Sequence, residues 1–83
     1  MIQTLLNKGR YTFNGSLIDL RRCINSLKII EVIQDTYFDN AYMYTVLAQF
    51  KYHGGKHKVL IERSMTGEEI FYLKYEGTIG GVW

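Results

Sequence analysis

The sequence predicts an α+β domain in which a single helix packs on a curved antiparallel sheet. Between residues 14 and 28 the apolar residues recur at helical spacing, whereas from residue 29 onward they alternate with polar residues. With 83 residues, the chain has the size of one domain. We assign that domain to residues 1–76, and the stretch 77–83, which contains three glycines, to a flexible C-terminal tail.

The segment NGSLIDLRRCINSLK, residues 14–28, has the features of a capped helix. Ser16 can cap its start, and Asp19, three residues later, completes a shortened capping box. One apolar stripe follows the helical period and consists of Leu17, Leu20, Ile24 and Leu27. This stripe should pack on the sheet, and Cys23 at its edge is expected to be a semi-buried, inert thiol.

Four segments after the helix are rich in β-branched and aromatic residues, and we interpret them as a four-stranded meander. They are IIEVIQDTYF, AYMYTVLAQFKYH, KVLIERSM and EIFYLKYE. Turn signals separate them at 39–40, 54–55 and 66–67. With Gly54-Gly55 as a two-residue turn, the alternation gathers one apolar face for the helix. Its members are Val32, Tyr44, Val46, Ala48, Phe50, Val59, Ile61, Phe71, Leu73 and Tyr75.

The segment LLNKGRYTF, residues 5–13, is ambiguous between two structures. A β-hairpin before the helix fits best, with Gly9 in the left-handed conformation of its turn. The alternative is a short helix that ends at Gly9, because a glycine also suits a helix C-terminus.

The sheet face opposite the helix is unusually apolar for a face open to water. The N-terminal hairpin or another protein chain should therefore cover it. Trp83, a large aromatic residue on the tail, is a further candidate anchor. The predicted partner-binding residues are Ile33, Tyr37, Met43, Leu47, Leu60, Tyr72 and Trp83, with Ile70 beside them.

The segment KYHGGKHKVL, residues 51–60, contains three lysines, two histidines and no acidic residue. It is either a solvated hairpin tip, a charged protein contact or a hairpin that binds nucleic acid. Lys28, just after the helix, should lie near this tip. The absence of arginine argues against base-specific recognition, so nucleic acid is the weaker alternative. The residues involved would be Lys51, Tyr52, Lys56, His57 and Lys58.

No residue pattern points to catalysis, a cofactor or a metal. His53 and His57 lack a third ligand nearby, and Cys23 belongs to the helix rather than to the histidine-bearing tip, so it lacks a base. We therefore expect a protein that is not an enzyme and that has no cofactor, no metal and no small-molecule substrate.

The remaining properties favour a cytoplasmic protein without membrane contact. One cysteine allows no internal disulfide, and neither a signal peptide nor a spanning segment is evident. The net charge of +2 is low for a dedicated nucleic-acid binder. We expect a small protein-interaction module that binds or inhibits a larger cytoplasmic protein, of a type found in phages and mobile elements. Nucleic-acid binding through residues 51–58 and a structural homo-oligomer are the alternatives.

Overall fold

A computed structural model describes residues 1–38, 41–63 and 69–79 of the chain. The elements in chain order are α1 Ile2–Lys8, β1 Arg10–Asn14, α2 Leu17–Cys23, β2 Lys28–Phe38, β3 Ala41–Tyr52, β4 Gly55–Arg63 and β5 Ile70–Thr78. The five strands form one antiparallel sheet in the order β1-β5-β4-β3-β2. The α+β class is confirmed, but the expected single helix is not: two short helices are present, and a fifth strand, β1, joins the four consecutive strands that follow α2.

The predicted N-terminal hairpin is wrong, and the alternative of a helix that ends at Gly9 is correct. Gly9 has a φ of 78°, and its N–H donates a hydrogen bond to the carbonyl of Leu5. β1 then pairs with the far strand β5, with Tyr11 opposite Leu73. A left-handed glycine suits both a hairpin and a helix end, so the distant partner strand decides between them.

The capping box at the start of α2 is present as predicted. The Ser16 hydroxyl accepts a hydrogen bond from the Asp19 N–H at 3.2 Å, and the Asp19 carboxylate accepts one from the Ser16 N–H at 3.2 Å. The helix ends at Cys23, so it is shorter than the sequence suggested. Ile24 and Leu27, beyond its end, are still buried. Cys23 is exposed rather than semi-buried, because Leu20 and Ile24 take the core-facing positions on either side of it.

Both helices pack on one side of the sheet, which we call the inner face. Leu5 of α1 and Leu20 of α2 are fully buried there. The core consists of Leu5, Leu20, Ile24, Leu27, Val46, Ala48, Phe50, Val59, Ile61, Phe71 and Leu73. The predicted helix-facing set is therefore buried or partly buried, except for Val32. That side chain is 55% exposed, although Val32 pairs with Val46 as expected.

The β3–β4 turn is formed by His53 and Gly54 rather than by the two glycines. Both residues have positive φ, 49° and 80°, as a type I′ hairpin turn requires. Tyr52 therefore pairs with Gly55, two positions from the predicted partner. Because side chains alternate between faces, a shift of two positions leaves the inner and outer sets unchanged.

Two irregularities in β2 change which face its residues occupy. The register with β3 shifts between Ile29 and Glu31 and again between Val32 and Gln34. As a result Tyr37 pairs with Tyr42 and lies on the inner face, whereas the alternation predicted the outer face. Each bulge inserts one extra residue and moves the following side chains by one position.

β5 runs to Thr78, so residues 77 and 78 of the expected tail belong to the sheet. The N–H of Ile79 also donates a hydrogen bond to the carbonyl of Lys56 at 3.0 Å. A further register shift pairs Lys58 with Gly77 instead of Glu76. The rest of the tail, including Trp83, lies outside the described residues.

Candidate interaction surface

The sheet face away from the helices, the outer face, carries the predicted apolar residues at its centre. Leu47 pairs with Leu60, and Tyr72 on β5 pairs with Glu62 beside Leu60. Leu47 and Leu60 are half-buried by their neighbours, and Tyr72 is 48% exposed. We call these three residues the apolar strip. They lie on the three central strands of the sheet.

Within the described chain, no element covers the apolar strip. Both helices are buried against the inner face, and β1 lies beside β5 in the plane of the sheet. This arrangement excludes the N-terminal cover that the sequence left open. A shallow groove of about 430 Å³ runs over the strip's β5 side. Its lining includes Arg10, Thr12, Leu60, Glu62, Tyr72 and Lys74.

Four lysines gather on the outer face near the β3–β4 turn, and we call them the basic cluster. Lys28 and Lys58 flank Gln49 on its two neighbouring strands, and Lys51 pairs with Lys56 in the next row. Ser26 holds the start of β2 in place: its hydroxyl accepts a hydrogen bond from the Lys51 N–H at 2.8 Å. The expectation that Lys28 lies near the tip is confirmed.

The outer face carries an excess of positive charge: six cations outnumber the carboxylates of Glu31 and Glu62, which lie on the same face. Besides Lys51 and Lys56, Arg10 and Lys74 also form a cross-strand pair of like charge. Such pairs destabilise a sheet. In the parts of the chain that the structure describes, the ion pair found joins Arg22 to Asp19 on α2, away from this face. The outer face therefore has a positive potential that an acidic partner would neutralise.

The nucleic-acid set predicted for the tip is divided between the two faces. Lys51, Lys56 and Lys58 share the outer face, whereas His57 pairs with the buried Phe50 on the inner face. The His57 ring stacks on Phe50 at 5.4 Å, and its Nδ1 lies 2.7 Å from the Tyr75 hydroxyl. Tyr52 also packs against the core. His57 therefore packs within the fold. Of the five predicted nucleic-acid residues, only the three lysines lie on the open outer face.

A cluster of tyrosines on the inner face escaped the sequence analysis. The rings of Tyr37 and Tyr42 lie 4.7 Å apart, those of Tyr42 and Tyr44 lie 6.1 Å apart, and the Arg63 guanidinium sits 5.4 Å from the Tyr42 ring centre. Since the ring faces contact one another, the cluster consolidates this end of the sheet. Only the bulged register of β2 brings Tyr37 there, so no periodic signal reveals it.

The Tyr42 and Tyr44 phenols have raised pKa values because of their surroundings. Hydrogen bonding to the Asp35 carboxylate is the main cause for Tyr42, followed by burial and by the negative charge of Asp35. Burial is the main cause for Tyr44, and Asp35 adds to it, whereas the nearby Arg21 lowers the pKa. Both phenols stay neutral at physiological pH and can donate hydrogen bonds.

The structure therefore separates the seven predicted partner-binding residues. Met43, Leu47, Leu60 and Tyr72 lie together on the outer face. Tyr37 belongs to the inner tyrosine cluster, and Ile33 lies at a bulge of β2 without a partner on β3. Trp83 falls outside the described residues.

Comparison with protein families, with curated proteins and with solved structures gave no match for this chain. Among the described residues, no helix is long and apolar enough to cross a bilayer. The same part of the chain contains no group of three or more histidine, cysteine or acidic residues placed to hold a metal. The functional inference therefore depends on the residues and on the faces where they lie.

Proposed function

We propose that this protein is a small protein-interaction module that binds a larger protein through its outer face. The observation that carries the proposal is the position of the apolar strip: Leu47, Leu60 and Tyr72 lie on a face that neither helix covers. Contiguous apolar surface of this kind commonly marks an interaction site. Covering it gains about 25 cal/mol for each Å² of apolar surface removed from water.

The charges around the strip favour a partner with an acidic surface. The basic cluster lies at one end of the strip, and Arg10 and Lys74 lie along its side. Complementary charge speeds association and sets orientation more than it adds affinity. Binding should therefore slow at high salt, while much of the affinity remains with the apolar contact.

A non-enzymatic binder or inhibitor of a cytoplasmic protein is the role we favour. The small size of the domain and its flat, open face support this role more than they support catalysis, which needs an enclosed and pKa-tuned site. The single cysteine, Cys23, is compatible with a reducing compartment. We propose phages and mobile elements as the source of such a module.

The test uses Leu60→Asp, which places a charge at the centre of the contact. Proteins from the host that the wild-type chain retains should be identified by mass spectrometry, and their affinity measured with purified material. We expect Leu60→Asp to abolish binding, because the contact would have to remove a charged side chain from water at its centre. Ile18→Asp is the matched control, since Ile18 is an exposed apolar residue on α2 and should not alter binding. Retained affinity in Leu60→Asp would exclude the outer face as the contact.

Nucleic-acid binding is the second candidate, favoured by one structural observation. Lys28 joins Lys51, Lys56 and Lys58 on the same open face, which gives four cations in place of the three at the tip. Phosphate contacts by these lysines would release counterions, so the affinity would fall steeply with salt.

A gel shift with single- and double-stranded DNA and RNA distinguishes the two candidates. If the basic cluster binds phosphates, replacing Lys51, Lys56 and Lys58 with glutamine should remove both the binding and its salt dependence. We expect the wild-type protein to show no such binding at physiological salt. Tight, salt-sensitive binding that the triple variant loses would favour the second candidate instead.

A further inference from the structure

The exposed apolar residues of this protein are concentrated on one edge strand. Six large apolar side chains of the described residues are well exposed, and four of them lie on β2. These four are Ile30 at 47%, Val32 at 55%, Ile33 at 54% and Tyr37 at 79%. β2 is the last strand of the sheet on its side, so one of its edges has no neighbouring strand in the described structure.

The two edges of the sheet differ in how they are protected. β1, at the other edge, has five residues, whereas β2 has eleven. Natural proteins keep exposed edges short, or place lysines and prolines on them, to prevent pairing with other chains. β2 has no proline, and its one lysine is at its first position. Two bulges interrupt β2, but most of this long edge remains free to pair with another strand.

We propose that the free edge of β2 pairs with β2 of a second copy of this chain, antiparallel and around a two-fold axis. This inference is independent of the proposed function. Charge favours a second copy: β2 has Lys28 near one end and Asp35 near the other. An antiparallel pair therefore brings the positive end of one strand beside the negative end of its partner. The apolar residues Ile30, Val32 and Ile33 meet in the middle.

The faces of β2 also select a register for this pair. Residues opposite each other across an antiparallel pair point to the same face. In β2 the outer face carries Lys28, Glu31, Gln34 and Thr36, and the inner face carries Ile29, Val32, Asp35 and Tyr37. An axis at Glu31 or at Asp35 would set two carboxylates directly opposite each other, which is unfavourable.

An axis at Val32 avoids that repulsion. With the unpaired bulge residues Ile30 and Ile33 left out of the count, it sets the two Val32 side chains against each other and places Glu31 opposite the partner subunit's Gln34, whose amide can donate to the carboxylate. It also sets Asp35 opposite the partner subunit's Ile29, next to the partner subunit's Lys28, whereas an axis at Gln34 would move Asp35 away from that lysine. The Val32 register joins two five-stranded sheets edge to edge. Both outer faces then lie on the same side, with the two apolar strips separated by the polar outer residues of the two β2 strands.

Sedimentation equilibrium tests the association. We expect the wild-type chain to form a species of about twice the 9.7 kDa of one chain. Ile33→Lys should shift it to the monomer by charging the edge, because lysine on an edge strand opposes pairing. Ile18→Lys, which changes an exposed apolar residue on α2, should leave the dimer intact. A wild-type monomer at all concentrations up to about 0.5 mM, or equal effects of both variants, would overturn the proposal.

Cysteine cross-linking tests the register without relying on a charged variant. In a Cys23→Ser background, Val32→Cys should form a disulfide-linked dimer under mild oxidation, since paired Cα atoms lie about 4.5–5.5 Å apart. Thr36→Cys lies on the same strand. In this register it is about six paired positions from the same residue of the partner subunit, with the bulge residues not counted. The separation is roughly 20 Å at about 3.3 Å per residue, so this variant should not cross-link. Cross-linking of Thr36→Cys in preference to Val32→Cys would exclude this arrangement.

Discussion

At the scale of single residues, Leu20 connects helix α2 to the inner face of the sheet. It is the one fully buried residue of α2, and it meets the inner face where Val46 and Ile61 are also fully buried. Each of these side chains comes from a different element. Truncating one of these side chains therefore leaves a cavity between elements, because the close-packed neighbours cannot move far enough to fill it.

Leu20→Ala should lower the free energy of unfolding by roughly 2–5 kcal/mol, the usual cost of such a truncation in a core. For a domain of this size that is a large part of the total stability. Ile18→Ala, two residues earlier and exposed at 65%, should change it by less than about 0.5 kcal/mol. Urea denaturation followed by circular dichroism measures both, and similar losses would contradict the packing of α2 described above.

The Tyr42 and Tyr44 phenols predict how stability changes at alkaline pH. Their pKa values in the fold lie above the ordinary value of 10.0, which applies when the chain is unfolded. Below that pH both states keep the proton, and the stabilising contribution is complete. As pH rises through 10, the unfolded chain loses its protons first, so the free energy of unfolding falls.

Replacing Tyr44 with phenylalanine removes one of these groups, and the variant should lose less stability than the wild type between pH 8 and pH 11. The urea midpoint at several pH values measures the slope. The remaining ionisable groups are the same in both proteins, so they cancel in the comparison. Identical slopes would show that the Tyr44 phenol titrates as it does in the unfolded chain.

At the scale of elements, the β3–β4 hairpin combines a favourable turn with unfavourable charges. His53 and Gly54 supply the two positive φ values of a type I′ turn. The strands next to the turn then bring Lys51 directly opposite Lys56. The hairpin therefore keeps a repulsion that a single substitution could remove.

Lys56→Glu should raise the stability of the hairpin by about 0.2–1 kcal/mol, because it converts a like-charge pair into an opposite-charge pair. Lys56→Gln should give part of this gain. Thermal unfolding at low salt measures the effect, which should shrink at about 1 M salt, where the Debye length is about 3 Å. A gain that persists at high salt would mean that strand propensity, not charge, is responsible.

At the scale of the whole molecule, the two faces of the sheet carry different kinds of residues. Both helices and the core occupy the inner face. The outer face carries the apolar strip, two carboxylates (Glu31 and Glu62) and six cations: Arg10, Lys28, Lys51, Lys56, Lys58 and Lys74. The small net charge of +2 conceals this concentration. Because folding depends on one face, the other can change with little cost to the fold.

Leu60→Asp should therefore leave the protein folded. Leu60 is half-buried among its strand neighbours, and Lys74 lies opposite it, so the new carboxylate meets a cation. We expect a loss of about 1 kcal/mol or less, in the range of strand propensity differences. Circular dichroism melting of the isolated chain measures this loss. An unfolded variant would show that the strip acts as core rather than as a surface.

The sequence by itself determined the features that depend on local order along the chain. The capping box of Ser16 and Asp19 requires only a spacing of three residues, and the alternation of β3, β4 and β5 separates inner from outer side chains. Even the displaced turn at His53 and Gly54 left these sets intact, because it moved the register by two positions. The apolar strip was predictable for the same reason.

Only the tertiary structure decided the features that depend on distant partners. β1 lies beside β5 because the free edge of that strand offers hydrogen bonds that residues 10–14 cannot find locally. Bulges in β2 reverse the face of Tyr37 and create the tyrosine cluster, and Val32 is exposed because neither helix covers its edge strand. In each case alternative local conformations have similar energies, and a contact with a distant strand selects one of them.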